Sequence, residues 1–120
     1  MLHIFISLIS IFHGVDPDLS IQMAKVESNF NPKAFSHTKD GGLFQLNTRF
    51  HKFHNPEWIF DPYINTYKAI QTVGKLKKKC KFKLQNQFVL CYNMGVRGAS
   101  KLKYPEKQTY LKKLTFVWKH

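Results

Sequence analysis

The spacing of hydrophobic positions along the chain is typical of helices rather than of strands. The clearest helical stripe comprises Leu19, Met23, Val26 and Phe30, which recur at the 3.6-residue period of one helix face. Asp16-Pro17 precedes this stripe, and an aspartate N-cap followed by proline at the first helical position favours a helix start. The pattern therefore predicts an amphipathic helix over residues 16–28.

Further helices are predicted later in the chain, with one irregular region before them. Asp61-Pro62 repeats the helix-start signal, residues 85–93 form another short helix with Gly95 as its stop, and Pro105 opens the last helix. Residues 31–47 lack a helical repeat and contain the turn sequence KDGG. The expected fold class is therefore α+β but mainly α, with at most a small β element.

The first thirteen residues are strongly apolar but too short for a membrane span. They lack a Lys or Arg before the apolar run and a clear small-x-small cleavage site. Two interpretations stay open for residues 1–13, a packed N-terminal segment and an export signal. Residues 14–120 are expected to form a single domain, since 120 residues fit one domain.

The composition is that of a globular protein with a strong positive charge. Apolar residues make up 43% of the chain, which argues against a disordered protein. Lys and Arg number 19 against 7 acidic residues, giving a formal charge of +12. This charge favours polyanionic partners, but it does not distinguish nucleic acid, anionic membrane and anionic cell wall.

The two cysteines are predicted to be free thiols. Cys80 and Cys91 form no CxxC pair and have no zinc-type partners at ligand spacing. A helix between them would separate their Cα atoms by about 16 Å at about 1.5 Å per residue, whereas a disulfide requires them within about 7 Å. His51 and His54 also lack a third ligand, so no metal site is expected.

Four short motifs follow one another along the chain. They are ESNFNP at 27–32, GLFQ at 42–45, YNMG at 92–95 and PEKQTY at 105–110. In this order and spacing the chain resembles the lysozyme-like superfamily, most closely the SLT-type lytic transglycosylase domain, over about residues 14–114. The resemblance implies a single lysozyme-like domain, with a substrate cleft between the Glu27 helix and the loop through Gln45.

One departure from that family concerns Asp40. Lys39-Asp40 stands where the family commonly has Gly-Ala, and the segment from Asp40 to Asn47 is also similar to animal-type lysozymes. In those enzymes an Asp at this place is the second catalytic carboxylate. Asp40 is therefore a tentative catalytic residue, and a turn residue before Gly41-Gly42 is the alternative.

Glu27 is the predicted general acid. Breaking a glycosidic bond requires a proton donor for the leaving oxygen, and an apolar setting favours the protonated form of a carboxyl group. Met23, Val26 and Phe30 supply such a setting for Glu27. The resemblance and the chemistry of hydroxyls and amides together suggest substrate-binding roles for Ser36, Gln45, Asn47, Tyr92, Asn93 and Tyr110.

The sequence thus predicts a peptidoglycan-cleaving enzyme that acts on the β-1,4 bond between N-acetylmuramic acid and N-acetylglucosamine. If Glu27 acts alone, first as the acid and then as the base, the enzyme is a lytic transglycosylase. If Asp40 acts together with Glu27, the enzyme is a hydrolytic muramidase. A non-catalytic cationic module that binds wall or nucleic acid is the third possibility. We expect a monomer that needs no cofactor. Its expected partners are peptidoglycan strands and anionic wall polymers, and no specific nucleic acid. Its expected location is the periplasm, the cell wall or the exterior, reached by export or by delivery from a phage or secretion apparatus.

Overall fold

The computed structural model describes residues 1–80, 88–103 and 108–118, with the backbone alone for 96 and 115–118. Its helices are α1 (Leu2–Phe12), α2 (Pro17–Ser28), α3 (Pro62–Lys79), α4 (Val89–Ser100) and α5 (Thr109–Trp118). The strands β1 (Asp40–Gly41) and β2 (Leu46–Asn47) and a 3₁₀ helix (Pro56–Phe60) lie between α2 and α3. The predicted fold class, α+β and mainly α, is confirmed. The chain divides into two compact units, Met1–Ile70 and Gln71–His120.

The N-terminal segment forms a helix that packs against α2. Ile6 and Ser10 of α1 are fully buried, and the Ser10 hydroxyl donates a 2.7 Å hydrogen bond to the Ser20 hydroxyl of α2. Ile4 and Leu8 on the other side of α1 are exposed. None of the helices among the described residues is long and apolar enough to cross a membrane. The division of the chain after residue 13 stays a prediction.

Helix α2 begins where the sequence predicts. The Asp16 carboxylate accepts a 2.9 Å hydrogen bond from the Asp18 amide, as expected of an N-cap. Leu19 and Met23 are fully buried, whereas Phe30 is only half-buried. The helix ends before Phe30 because Asn29 adopts the left-handed conformation, with φ 54°, and this takes Phe30 off the predicted stripe.

The irregular region contains a minimal hairpin, which fits the expectation of at most a small β element. β1 and β2 pair antiparallel, with Asp40 opposite Asn47 and Gly41 opposite Leu46. Phe35 extends the pairing through an isolated bridge to Gly41. The hairpin is too short to be stable by itself, so its geometry depends on side chains that hold the loop.

The second unit contains α4 and α5, which pack against each other. Gly95 interrupts α4 with φ 80° and ψ 157°, and the helix resumes up to Ser100. The predicted stop at Gly95 is therefore confirmed, and a second short helical segment follows it up to Ser100. The predicted helix start at Pro105 lies outside the described residues, as do residues 85–87 of the predicted 85–93 helix.

The prediction of two free thiols is wrong, because Cys80 and Cys91 form a disulfide. The prediction assumed a continuous helix between them. Instead α3 ends at Lys79 and α4 begins at Val89, and the two Cα atoms lie 6.5 Å apart. That separation falls within the range that a disulfide spans. The bond links the end of α3 to the first turn of α4.

We expect reduction of this disulfide to lower the free energy of unfolding by about 2–3 kcal/mol, since the cross-link closes a short loop in the unfolded chain. Urea unfolding with and without a thiol reductant measures the change. In the Cys80→Ala/Cys91→Ala variant the reductant should have no effect. Equal midpoints for oxidised and reduced wild-type protein would contradict a stabilising cross-link.

Candidate active site

Glu27 lies in the last turn of α2, where its side chain is half-buried. Met23 and Ala24, one turn earlier on the same helix, have no exposed surface. The carboxyl group thus projects from the edge of an apolar helix face that is packed into the first unit. This placement agrees with the predicted setting of a proton donor, although its catalytic role stays a prediction.

Ser28 connects the end of this helix to the loop that precedes β2 through a hydrogen bond. Its hydroxyl donates a 2.7 Å hydrogen bond to the carbonyl oxygen of Leu43 and also lies 3.2 Å from the carbonyl oxygen of Ala24. Leu43 belongs to the GLFQ motif. The first two motifs are therefore neighbours in the structure, and the backbone beside Glu27 is held against the loop through Gln45.

Asn65 of α3 holds the same loop from its other side. This side chain is completely buried. Its Nδ2 donates to the carbonyl oxygens of Gly41 at 3.1 Å and Ile59 at 2.8 Å, and its Oδ1 accepts from the Phe44 amide at 2.8 Å. Sequence reasoning missed Asn65. No local pattern marks Asn65 in the sequence, because its burial is known only from the structure, where it is hydrogen-bonded as buried polar groups nearly always are.

Gly42 meets two constraints at this contact. Its φ is +82°, which glycine adopts without strain. A Cβ atom there would overlap the Asn65 Nδ2 and the carbonyl oxygen of Ile59. The glycine of the GLFQ motif thus lets the loop backbone approach α3 closely enough for the Asn65 hydrogen bonds.

The predicted sugar-binding amide of Gln45 makes contacts inside its own loop. Gln45 has a positive φ of 53° and is half-buried. Its Nε2 donates to the carbonyl oxygens of Gly42 at 3.0 Å and Ala34 at 3.2 Å. In this structure the amide nitrogen stabilises the turn, and a role in substrate binding stays a prediction.

Asp40, Ser36 and Asn47 come together at the hairpin. Asp40 Oδ1 accepts from Asn47 Nδ2 at 2.9 Å, and Oδ2 accepts from Thr38 Oγ1 at 2.7 Å. The Ser36 hydroxyl lies 3.4 Å from the same Oδ2 and accepts from the Asp40 amide at 3.2 Å. Both carboxylate oxygens therefore take part in closing the turn. This geometry explains why an Asp stands here without requiring a catalytic role.

The remaining predicted site residues lie in the second unit. Tyr92 and Asn93 lie on α4, three and four residues after its start, and Tyr110 lies in the first turn of α5. Asn93 is exposed, Tyr92 is half-buried and Tyr110 is buried. Tyr92 directly follows the disulfide-bonded Cys91, so the cross-link restrains the backbone of the YNMG motif.

His51 is a half-buried titratable group close to the hairpin. Its amide donates to the Asn47 carbonyl at 3.0 Å. Burial, and secondarily the positive charge of Lys68, hold the pKa of the His51 imidazole below its usual value of 6.5. Among the residues that the structure describes, no three His, Cys, Asp or Glu side chains are grouped to hold a metal ion.

Because the folded state disfavours protonated His51, the protein should lose stability as the pH falls below about 6.5, where the unfolded chain takes up the proton more readily. Above that pH the residue is neutral in both states and has no effect. Urea midpoints at about pH 7.5 and about pH 5.5 measure this. His51→Gln should reduce this loss of stability at low pH. An unchanged loss in His51→Gln would contradict the assignment to His51.

The mainly helical fold, with a half-buried glutamate at the end of α2 held against a glycine-containing turn, is that of a lysozyme-like domain. The family model described as the transglycosylase SLT domain matches residues 11–114, so the chain belongs to this family. At the level of the family it is a peptidoglycan-cleaving enzyme that breaks glycosidic bonds. No curated protein and no solved structure matches the chain significantly.

Proposed function

We propose that this protein is a lytic transglycosylase that cleaves the β-1,4 bond between N-acetylmuramic acid and N-acetylglucosamine. The observation that carries the proposal is the placement of Glu27, half-buried in the last turn of α2 and adjacent to the Ser28 contact with the GLFQ loop. The family match over residues 11–114 supports the same reaction class. No cofactor takes part in this chemistry.

In the proposed reaction Glu27 acts twice. Its protonated carboxyl group donates a proton to the glycosidic oxygen, and the bond to the muramic acid C1 breaks through an oxocarbenium-like transition state. The resulting carboxylate then removes the proton of the 6-hydroxyl group of the same sugar. That oxygen bonds to C1 and closes a 1,6-anhydro ring, so Glu27 regains its proton and no water is consumed.

The hydrogen bonds of Asp40 support a mechanism without a second carboxylate. A carboxylate that attacks or stabilises C1 must present an oxygen to the sugar ring. Each Asp40 oxygen accepts a hydrogen bond within the hairpin, from Thr38 or Asn47, which gives the residue a role in the turn while leaving a second lone pair on each oxygen. We therefore favour a structural role for Asp40, and the hydrolytic muramidase is the alternative that the experiment below separates.

The disulfide supports a site of action outside the reducing cytosol. Stable disulfides persist in the periplasm and the extracellular space, whereas cytosolic thiols are kept reduced. Cys80 and Cys91 are both buried within the second unit. We propose that the enzyme acts in the periplasm, in the cell wall or on its outer side, where its substrate is found.

Digestion of purified peptidoglycan in isotopically labelled water tests the proposed reaction. A transglycosylase yields anhydro ends that are one water lighter than reducing ends and carry no label from the solvent. A hydrolase yields labelled reducing ends, and that product from the wild-type protein would overturn the proposal. Asp40→Asn should still give anhydro ends at a comparable rate; loss of cleavage in a folded Asp40→Asn variant would return Asp40 to the mechanism.

A further inference from the structure

The net positive charge of this protein comes from one part of the chain. The first unit, residues 1–70, contains six Lys or Arg and six Asp or Glu side chains. Residues 71–120 contain thirteen Lys or Arg and a single acidic residue, Glu106. The whole formal charge of +12 therefore belongs to the second unit, while Glu27 lies in a unit with no net charge.

The end of α3 carries a compact set of these cations. Lys75, Lys78 and Lys79 are spaced i, i+3 and i+4 along the helix, which places them on one face. All three are exposed. Among the described residues of the same unit, the other exposed cations are Lys77, Arg97, Lys101, Lys103, Lys112 and Lys113. We refer to Lys75, Lys78 and Lys79 as the α3 basic face.

The surroundings of the α3 basic face distinguish between kinds of anionic partner. Proteins that hold single-stranded nucleic acid combine positive charge with exposed aromatic rings for base stacking, and helices that bind membranes present apolar side chains. In the described part of residues 71–120, no aromatic side chain is exposed, and Met94 is the one exposed large hydrophobic residue. The described surface around the α3 basic face therefore offers positive charge but no exposed ring for stacking, and this combination suits carboxylates in water.

We propose that the α3 basic face binds the carboxylates of the peptide stems carried by peptidoglycan strands, and so retains the enzyme on its insoluble substrate. This inference rests on the proposed function, because it assigns the anion to the same polymer that Glu27 acts on. Opposite charges attract across water over about 10 Å at moderate salt. Retention should therefore be sensitive to salt and insensitive to the identity of the sugar.

Pelleting of the full-length Glu27→Gln variant with insoluble peptidoglycan measures retention without cleavage. Three substrates are compared: native peptidoglycan, peptidoglycan with its stem carboxylates amidated, and glycan strands freed of their stems. We expect strong binding to the first alone, with a loss of about tenfold between about 50 mM and about 300 mM salt. Equal binding to all three substrates would overturn the proposal.

Substitutions that remove charge from the Glu27→Gln protein show which lysines are responsible for retention on peptidoglycan. Lys75→Gln/Lys78→Gln/Lys79→Gln should weaken retention about tenfold, since three exposed charges that attract carboxylates are lost. The matched control, Lys25→Gln/Lys33→Gln/Lys52→Gln, removes three exposed charges from the neutral first unit and should retain wild-type binding. An equal loss in both variants would contradict a specific face.

Two further outcomes separate this inference from the proposed function. Tighter binding to duplex DNA or to anionic phospholipid vesicles than to native peptidoglycan would overturn the retention proposal while leaving cleavage intact. Salt-sensitive, carboxylate-dependent retention by a wild-type protein that cleaves no peptidoglycan would support retention and overturn the transglycosylase assignment.

Discussion

Glu27→Gln should reduce the release of soluble fragments from purified peptidoglycan by about 10²–10⁴-fold, the contribution typical of a general acid and base. Glutamine keeps the shape of the side chain but can neither give up a proton to the glycosidic oxygen nor accept one from the 6-hydroxyl group. Because Glu27 is only half-buried, the fold should be retained. The measurement is the initial rate of fragment release at matched protein concentration.

Glu57→Gln is the matched control for this experiment. It makes the same chemical change at an exposed glutamate of the 3₁₀ helix and should leave the rate unchanged. Circular dichroism and the urea midpoint must show that the Glu27→Gln protein is folded. Equal cleavage by folded Glu27→Gln and wild-type protein would exclude Glu27 as the proton donor.

Asn65→Leu should cost about 3–5 kcal/mol of unfolding free energy, the largest stability effect that we expect from a single substitution. Leucine has a similar size but makes no hydrogen bond. Two carbonyl groups, of Gly41 and Ile59, and the Phe44 amide would lose their Asn65 partner, and each buried polar group left unpaired costs about 1–3 kcal/mol. Urea unfolding measures the change.

Thr66→Val provides the control at the next residue. Thr66 is also fully buried, but its hydroxyl oxygen has no hydrogen-bond partner among the described residues. Replacing that hydroxyl with a methyl group should change the unfolding free energy by less than about 1 kcal/mol. If Asn65→Leu were as mild as Thr66→Val, Asn65 would not be the side chain that holds the loop.

The local elements of this fold could be predicted because their signals are local. The Asp16 N-cap and the buried Leu19 and Met23 follow directly from helix capping and the 3.6-residue period. The absence of a helical repeat over residues 31–47 likewise predicts the irregular region that contains the short hairpin. Each of these inferences depends only on residues that are close together in sequence.

Contacts between distant residues could not be predicted in the same way. The Cys80–Cys91 bond depends on where α3 ends, and that end carries no glycine or proline signal. Asn65 contacts backbone groups up to 24 residues earlier in the chain, a pairing that no local pattern specifies.

The predicted site shows the same limit. The order of motifs in the sequence identifies Glu27 and the GLFQ loop. In the structure, the hydrogen bond from Ser28, the residue after Glu27, to Leu43 connects the two motifs. The sequence did not indicate that Asp40 and Asn47 bond to each other, because an amide and a carboxylate suit sugar binding and turn closure equally well. Only the three-dimensional contacts favour turn closure.

In the proposed mechanism Glu27 alone converts a glycan strand into fragments with anhydro ends. The decisive measurement is mass analysis of fragments from peptidoglycan digested side by side by wild-type and Glu27→Gln protein. We predict abundant 1,6-anhydromuramic ends in the wild-type digest and almost none with Glu27→Gln. Reducing ends from the wild-type protein, or anhydro ends in equal amounts from both proteins, would contradict the claim.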